Sequence, residues 1–411
     1  MTVATDVGRI FAEPSAYADP VTWHATAARL RREAPICWVS VPDYPDFFAI
    51  TKHADIMEIE RNCDVFTNGP VPVLATRRDL DGRPADSLMK TLSEMDGDEH
   101  RAHRSLLVDW FKPGNVKRMS ARVDELATRY VDLMADMDGA CDFARDIAMH
   151  FPLQVILSIL GIPEADYEKM LQLTQELFAA DDPDIGHTGD DTTPYEVVLE
   201  FADYFSHLAA DRRAHPTSDL ASVIANAELN GAPLPDIDMF GLYLIVATAG
   251  HDTTSNSIAG ALLALLEHPD QLDLLQSNAN AIDHGADELL RHVSPVKHFI
   301  RHCQEPFTLR DVEFAAGDIT LLSFASANRD EDVFEDPFRL DLRRVNASDH
   351  LAFGFGHHFC LGAHLARLEI KAIFRELFGR LEHIQLDREP TFVQSRLVSG
   401  PKTLPVTYQL S

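Results

Sequence analysis

Residues 353–362 read Phe-Gly-Phe-Gly-His-His-Phe-Cys-Leu-Gly, and an apolar stripe with helical spacing (Leu361, Leu365, Leu368, Ile370, Phe374) begins directly after Cys360. The spacing predicts a helix with Cys360 at its N-terminus, where unsatisfied N–H groups and the positive end of the dipole favour a thiolate. Gly354, Gly356 and Gly362 remove side chains around that sulfur, so backbone can approach a large flat ligand closely. Three readings stand on these residues. A thiolate on a haem iron would push electron density toward bound dioxygen. His357, His358, Cys360 and His364 could instead form a zinc site, with Cys360 and His364 one helical turn apart. The third is a buried structural cysteine, the reading given to Cys37, Cys63, Cys141 and Cys303.

A second constellation is Ala249-Gly250-His251-Asp252-Thr253-Thr254, in the middle of a helical stretch over 237–267. That stretch would run about 45 Å and is apolar nearly all round, which implies a central buried helix. An acid and two hydroxyls inside it are costly unless paired or used. A Thr253 hydroxyl bonded to the Ala249 carbonyl would bend the helix beside Gly250 and leave a groove. His251 reads as a satisfied helix histidine. Two further charged pairs have helical spacing: Glu288 with Arg291, and His100 with Arg104.

These groups need a mostly helical frame. A helix opens at Asp19-Pro20 and runs to about Arg32. Strand-like runs follow at Ile36–Ser40 and Phe47–Thr51, and another at Ile319–Phe324. Helical periodicity dominates from Asp98 to Leu266, interrupted at Lys112–Gly114, Asp181–Asp191 and Asn230–Pro235. No linker long enough to separate two cores is visible, so residues 1–411 read as a single domain, mainly α with a small β-rich portion.

Composition narrows the function. The 411 residues carry 36 Lys and Arg against 65 Asp and Glu, a net charge of −29. Such a surface repels phosphate backbones and anionic lipid, which argues against nucleic-acid and membrane partners. No run approaches the roughly 20 apolar residues of a membrane span, and Met1–Pro14 lacks a signal-peptide pattern, so a cytoplasmic location is expected. Five scattered cysteines make no disulfide framework. Against the acidic background, Arg101–Arg122 holds six basic residues (Arg101, Arg104, Lys112, Lys117, Arg118, Arg122) and one acid, Asp109. Such a patch can be a structural accident, and beside a thiolate-bound haem it would suit docking of a small acidic electron carrier.

The spacing Phe353-x-x-Gly356-x-His358-x-Cys360-x-Gly362 resembles the cysteine-ligand loop of the cytochrome P-450 family, and three more motifs stand upstream in the family's order. The resemblance implies the cytochrome P-450 fold, a long central helix over haem b (iron protoporphyrin IX), and Cys360 as the iron ligand. Phe353, Gly354 and Gly362 would line the cofactor, and His100, Arg104, Arg301 and His358 would bind its propionates. It implies Asp252 and Thr253 as the catalytic acid–alcohol pair that handles protons. Glu288 and Arg291 would be scaffold, with Arg291 locking onto Glu335–Leu340, and Arg339 is assigned to the same role. Substrate would meet Val71, Val73, Ile245, Thr248, Ala249, Val296, Phe299, Leu397 and Val398, a largely apolar set; for each, ordinary core is the alternative.

Details such as Ala249–Thr254, Ala327–Phe334, Pro295-Val296-Lys297 and Gly400-Pro401-Lys402 look like the bacterial α-terpineol monooxygenase branch. That branch hydroxylates monoterpenes and small alkyl-aromatics with dioxygen and a 2Fe–2S ferredoxin reduced by its NAD(P)H-dependent reductase. The same chemistry on a steroid or fatty acid is the alternative within the family. Outside it stand a zinc hydrolase built on His357, Cys360 and His364, and a non-catalytic haem sensor or carrier.

Overall fold

A computed structural model describes residues 5–82, 89–178 and 194–411. The expected acidic interruption at Asp181–Asp191 lies outside the described residues. Helices make up most of the rest, and strands form a five-stranded sheet drawn from residues 36–67 and 298–323 plus smaller sheets, a mainly α architecture with a minor β portion. No helix among the described residues is long and apolar enough to cross a membrane.

Local signals set several boundaries. The first long helix is Pro20–Glu33, with Asp19 as N-cap accepting from the Thr22 amide and Pro in the first turn. The sheet runs in the order Ile36–Val39, Phe47–Ile50, Ile319–Ser323, His298–Cys303, Phe66–Thr67. Only the Phe47–Ile50/Ile319–Ser323 pairing is parallel, and the other three are antiparallel. Because side chains alternate across a strand, Cys37, Val39, Phe47, Ala49, Ile300 and Leu321 pack into one cluster while Ile36, Ile50 and Leu322 pack into another. The Asn230-Gly231 turn signal is a hairpin with both residues at positive φ, joining Glu228–Leu229 to Ala232–Pro233.

The largest core lies among the helices Pro113–Ala135, His150–Ile159, Pro194–Ala214, Ile282–Val293 and Ala363–Arg380. At its centre the expected single helix over 237–267 is two: Asp236–Ala249 and Asp252–Glu267, interrupted at Gly250 and at His251, whose ψ is −76°. The Thr253 hydroxyl donates to the Ala249 carbonyl at 2.8 Å across the break. The C-terminal helix starts at Ala363 with Gly362 as N-cap, so Cys360 precedes its first turn instead of opening it.

The Glu288–Arg291 pair is fully buried, with Nε and Nη2 of Arg291 donating to the two carboxylate oxygens at 2.7 and 2.8 Å. Arg291 Nη1 also donates to the carbonyls of Asn328 and Pro337. The scaffold assignment of Arg339 needs correction. Its side chain is exposed, and only its carbonyl takes part, accepting from Arg291 and Arg344. The third side chain is Arg344, whose Nε lies 3.1 Å from both Glu288 oxygens while its Nη atoms hold the carbonyls of Glu335, Asp336 and Arg339.

Candidate active site

The Cys360 loop is built on glycines with positive φ, Gly354 at +70° and Gly356 at +69°. A Cβ on Gly356 would stand 2.8 Å from the Glu60 carbonyl, so glycine is what lets this loop press against the His53–Arg61 helix. The Cys360 amide donates to the Phe353 carbonyl at 2.9 Å, which closes the loop under the sulfur. Burial pushes the Cys360 thiol above its ordinary range, and the Gly362 amide, Arg104 and Arg367 only partly offset it. The favoured thiolate expected from sequence therefore needs a Lewis acid, and a metal on the sulfur removes the proton outright. The zinc set does not assemble: His357 sits 3.2 Å from Cys63, His364 is exposed, and no group of three metal-ligating residues occurs among the described residues.

One cavity joins Cys360 to the break in the central helix. From the distal side it is lined by Ile245, Val246, Ala249, Gly250, Thr253, Thr254 and Ser257, a spacing of three and four that marks one helix face. Val296 and Phe299 line it as well, together with Leu92, Phe111, Ile156, Leu290 and Phe324, which the sequence did not single out. Thr248 falls on another face, its hydroxyl turned to the Leu244 carbonyl at 2.7 Å. Val398 is buried in a bridge to Val296, and Leu397 gives its carbonyl to the Lys297 amide. Val71 accepts from the His302 ring through its carbonyl, and Val73 is half-buried beside it. None of these five is among the lining residues of the cavity.

At one end the wall carries His100, Arg104, Arg301 and His358. The rings of His100 and His358 lie 4.1 Å apart, and His358 Nε2 is 3.7 Å from Asp96. His100 is buried, and its Nε2 has no hydrogen-bond partner among the described residues. Burial, then the neighbouring His358 and Arg104, push it down to about 3. An unpartnered buried nitrogen among cations is a seat for an anion. With a soft sulfur donor below, a glycine-lined wall and an apolar chamber above, these residues fit a flat, iron-bearing ring with carboxylates at one edge. Cys360 would hold the iron, and Phe353, Gly354 and Gly362 line the same cavity.

Thr253 faces this chamber, and Asp252 does not. Asp252 lines a second, smaller cavity with Gln175, Ser255 and Asn256 on the opposite helix face. Its Oδ2 is unpartnered among the described residues, and burial raises its carboxyl above the usual range, with His251 pulling the other way. An acid with one face toward a side cavity and a hydroxyl one residue on, toward the chamber, can pass protons across the helix. Sequence reading missed two more acids in the chamber wall. Glu60 is paired with Arg301, and Glu369 is 2% exposed with Oε2 unpartnered among the described residues and its carboxyl pushed well up by burial.

A family model described as Cytochrome P450 matches residues 195–408. The chain is 35% identical over 422 residues to cytochrome P450-terp of a Pseudomonas species, covering 99% of this chain and 98% of that one. It is 34% identical over 391 residues to the methyl-branched lipid omega-hydroxylase of Mycobacterium tuberculosis, covering 93% and 90%. Its structure matches that of CYP108D1 from Novosphingobium aromaticivorans with a TM-score of 0.92 at 36% identity over 100% of both chains. This chain therefore belongs to the cytochrome P450 family: it has the family's fold and is a haem-dependent oxidoreductase that incorporates molecular oxygen.

Proposed function

We propose that the enzyme inserts one atom of dioxygen into a small hydrophobic substrate, a monoterpene or alkyl-aromatic, at haem b held by Cys360. The observation that carries this reading is that the Cys360 loop and Thr253 face each other across one largely apolar cavity. When bound, the haem iron supplies oxygen activation, favoured by the electron density of its thiolate. The protein contributes orientation, exclusion of water and protons. Thr253 holds its hydroxyl at the chamber while bonded to Ala249. Asp252 takes protons from the side cavity and releases them toward Thr253. Ile245, Ala249, Val296 and Phe299 offer an apolar surface that suits a compact hydrocarbon over a polar metabolite.

Electrons would come from a 2Fe–2S ferredoxin and its NAD(P)H-dependent reductase in the cytoplasm, docking on the basic segment around Lys117 and Arg118. The similarity to a lipid hydroxylase favours a second reading, the same chemistry on a longer chain. A spectral titration of the haem protein with monoterpenes, alkyl-benzenes, fatty acids and steroids separates the two. A high-spin shift with the first two groups is expected, and a response confined to fatty acids or steroids would replace the proposal.

A further inference from the structure

Arg301, one of the cations at the carboxylate end of the cavity, is already engaged. Its Nη2 donates to Glu60 Oε1 at 2.7 Å, with both side chains 3% exposed, and its Nη1 donates to the Ile300 carbonyl at 2.8 Å. Both members are fixed from behind. Arg301 sits in the His298–Cys303 strand opposite Thr320, and Glu60 lies in the last turn of its helix with Gly356 pressed on its carbonyl. Glu60 and Arg301 both line the cavity. The other titratable groups at this end are His100, Arg104 and His358 in the wall and Asp96 beside His358.

A ring with a carboxylate at this edge brings Arg301 a second negative group. One guanidinium between two buried carboxylates leaves a negative charge uncompensated where the dielectric is low. We propose that Glu60 competes with the haem carboxylate for Arg301, and so acts as a positioning residue that loosens the cofactor's hold and keeps its reduction potential low. The inference rests on the haem reading of the cavity. The potential falls because a fixed negative charge near the iron opposes the arrival of an electron. Burial raises the Glu60 carboxyl while Arg301 pulls it down, which agrees with a charge held at a cost.

The test is Glu60→Gln, whose amide oxygen still accepts from Arg301 but carries no charge. Haem transfer to excess apomyoglobin and the midpoint potential are measured on the purified holoprotein. Transfer is expected to slow about ten-fold, the effect of removing one nearby charge at an intermediate dielectric, and the potential to become more positive. If Glu60 only braces Arg301, the same variant loses haem as fast as the natural chain or faster at unchanged potential, and the proposal is overturned. Glu60→Asp, one methylene short of Nη2, covers the case in which Glu60→Gln does not fold. Slower haem loss supports the competition, and equal or faster loss removes it. A natural chain that binds no haem would overturn the reading of the cavity instead, a result distinct from any of these.

Discussion

The His251 imidazole stands 3.5 Å from the Asp252 carboxylate through Nδ1, and that same nitrogen meets the Thr174 hydroxyl at 3.1 Å while Nε2 meets the Met149 carbonyl at 2.8 Å. A carbonyl only accepts, so Nε2 carries a proton, and the ring clamps the helix break to two other segments. His251 is fully buried. Replacing it by Asn takes the ring N–H from the Met149 carbonyl, at a cost of about 1–3 kcal/mol for a group left unsatisfied, while the Thr174 hydroxyl keeps its bond to the Leu171 carbonyl at 2.9 Å. The expected outcome for His251→Asn is a lower melting temperature and less product per NAD(P)H consumed, because Asp252 loses its brace. Full coupling in a destabilised variant would confine His251 to a structural role.

Glu288 separates Arg344 from Arg339 experimentally. Arg344→Gln removes a cation from a carboxylate that is 0% exposed, with only Arg291 left to balance it. Breaking a buried pair from one side costs about 3–5 kcal/mol. Arg339→Gln touches an exposed side chain and should stay within about 0.5 kcal/mol of the natural chain. Urea denaturation of both variants checks the contrast, and equal losses would restore the assignment to Arg339.

That contrast shows where sequence ran out. Cys360 was legible because its chemistry and its glycine neighbours are adjacent in the chain, and positive φ at Gly354 and Gly356 is a local demand. Arg344 lies 56 positions from Glu288 on an irregular segment, where no period points to the contact. Glu369 was hidden by the opposite effect. It sits in a helix whose stripe was read from its apolar members alone, so a charged residue on the buried face was not singled out. Helical phase would have corrected one assignment from sequence alone. Ile245, Ala249 and Thr253 recur at intervals of four, which turns Thr248 away from the chamber it was expected to line and Asp252 toward the side cavity.

The basic segment resolves into two free cations. Arg101, Lys112 and Arg122 pair with Asp98, Asp109 and Glu125, and Arg104 turns inward to the Phe359 carbonyl. Lys117 and Arg118 are exposed on the Pro113–Ala135 helix, with no carboxylate within 4 Å among the described residues. Lys117→Glu/Arg118→Glu should cut the rate of reduction by a 2Fe–2S ferredoxin at low salt by roughly ten-fold and flatten its salt dependence. Unchanged rates at every ionic strength would move the docking face elsewhere.

Glu369 makes stability depend on pH in a definite direction. Its carboxyl in the fold is held well above 4.5, the ordinary value that describes the unfolded chain. Below that value both states carry the proton, and this group contributes no pH dependence. Above it the unfolded chain has released a proton that the folded chain keeps, so stability falls as pH rises, by about 1.4 kcal/mol per pH unit until the folded value is reached. Asp252 and Glu60, also raised by burial, act with the same sign, so the natural chain alone cannot isolate Glu369. The difference between Glu369→Gln and the natural chain can. The amide keeps the shape and never ionises, so melting temperatures between about pH 5 and 8 should decline less steeply in the variant, which becomes the more stable of the two at the alkaline end. Parallel curves would mean that Glu369 is ionised in the fold, and its unpartnered Oε2 would then need a cation that the described residues do not provide.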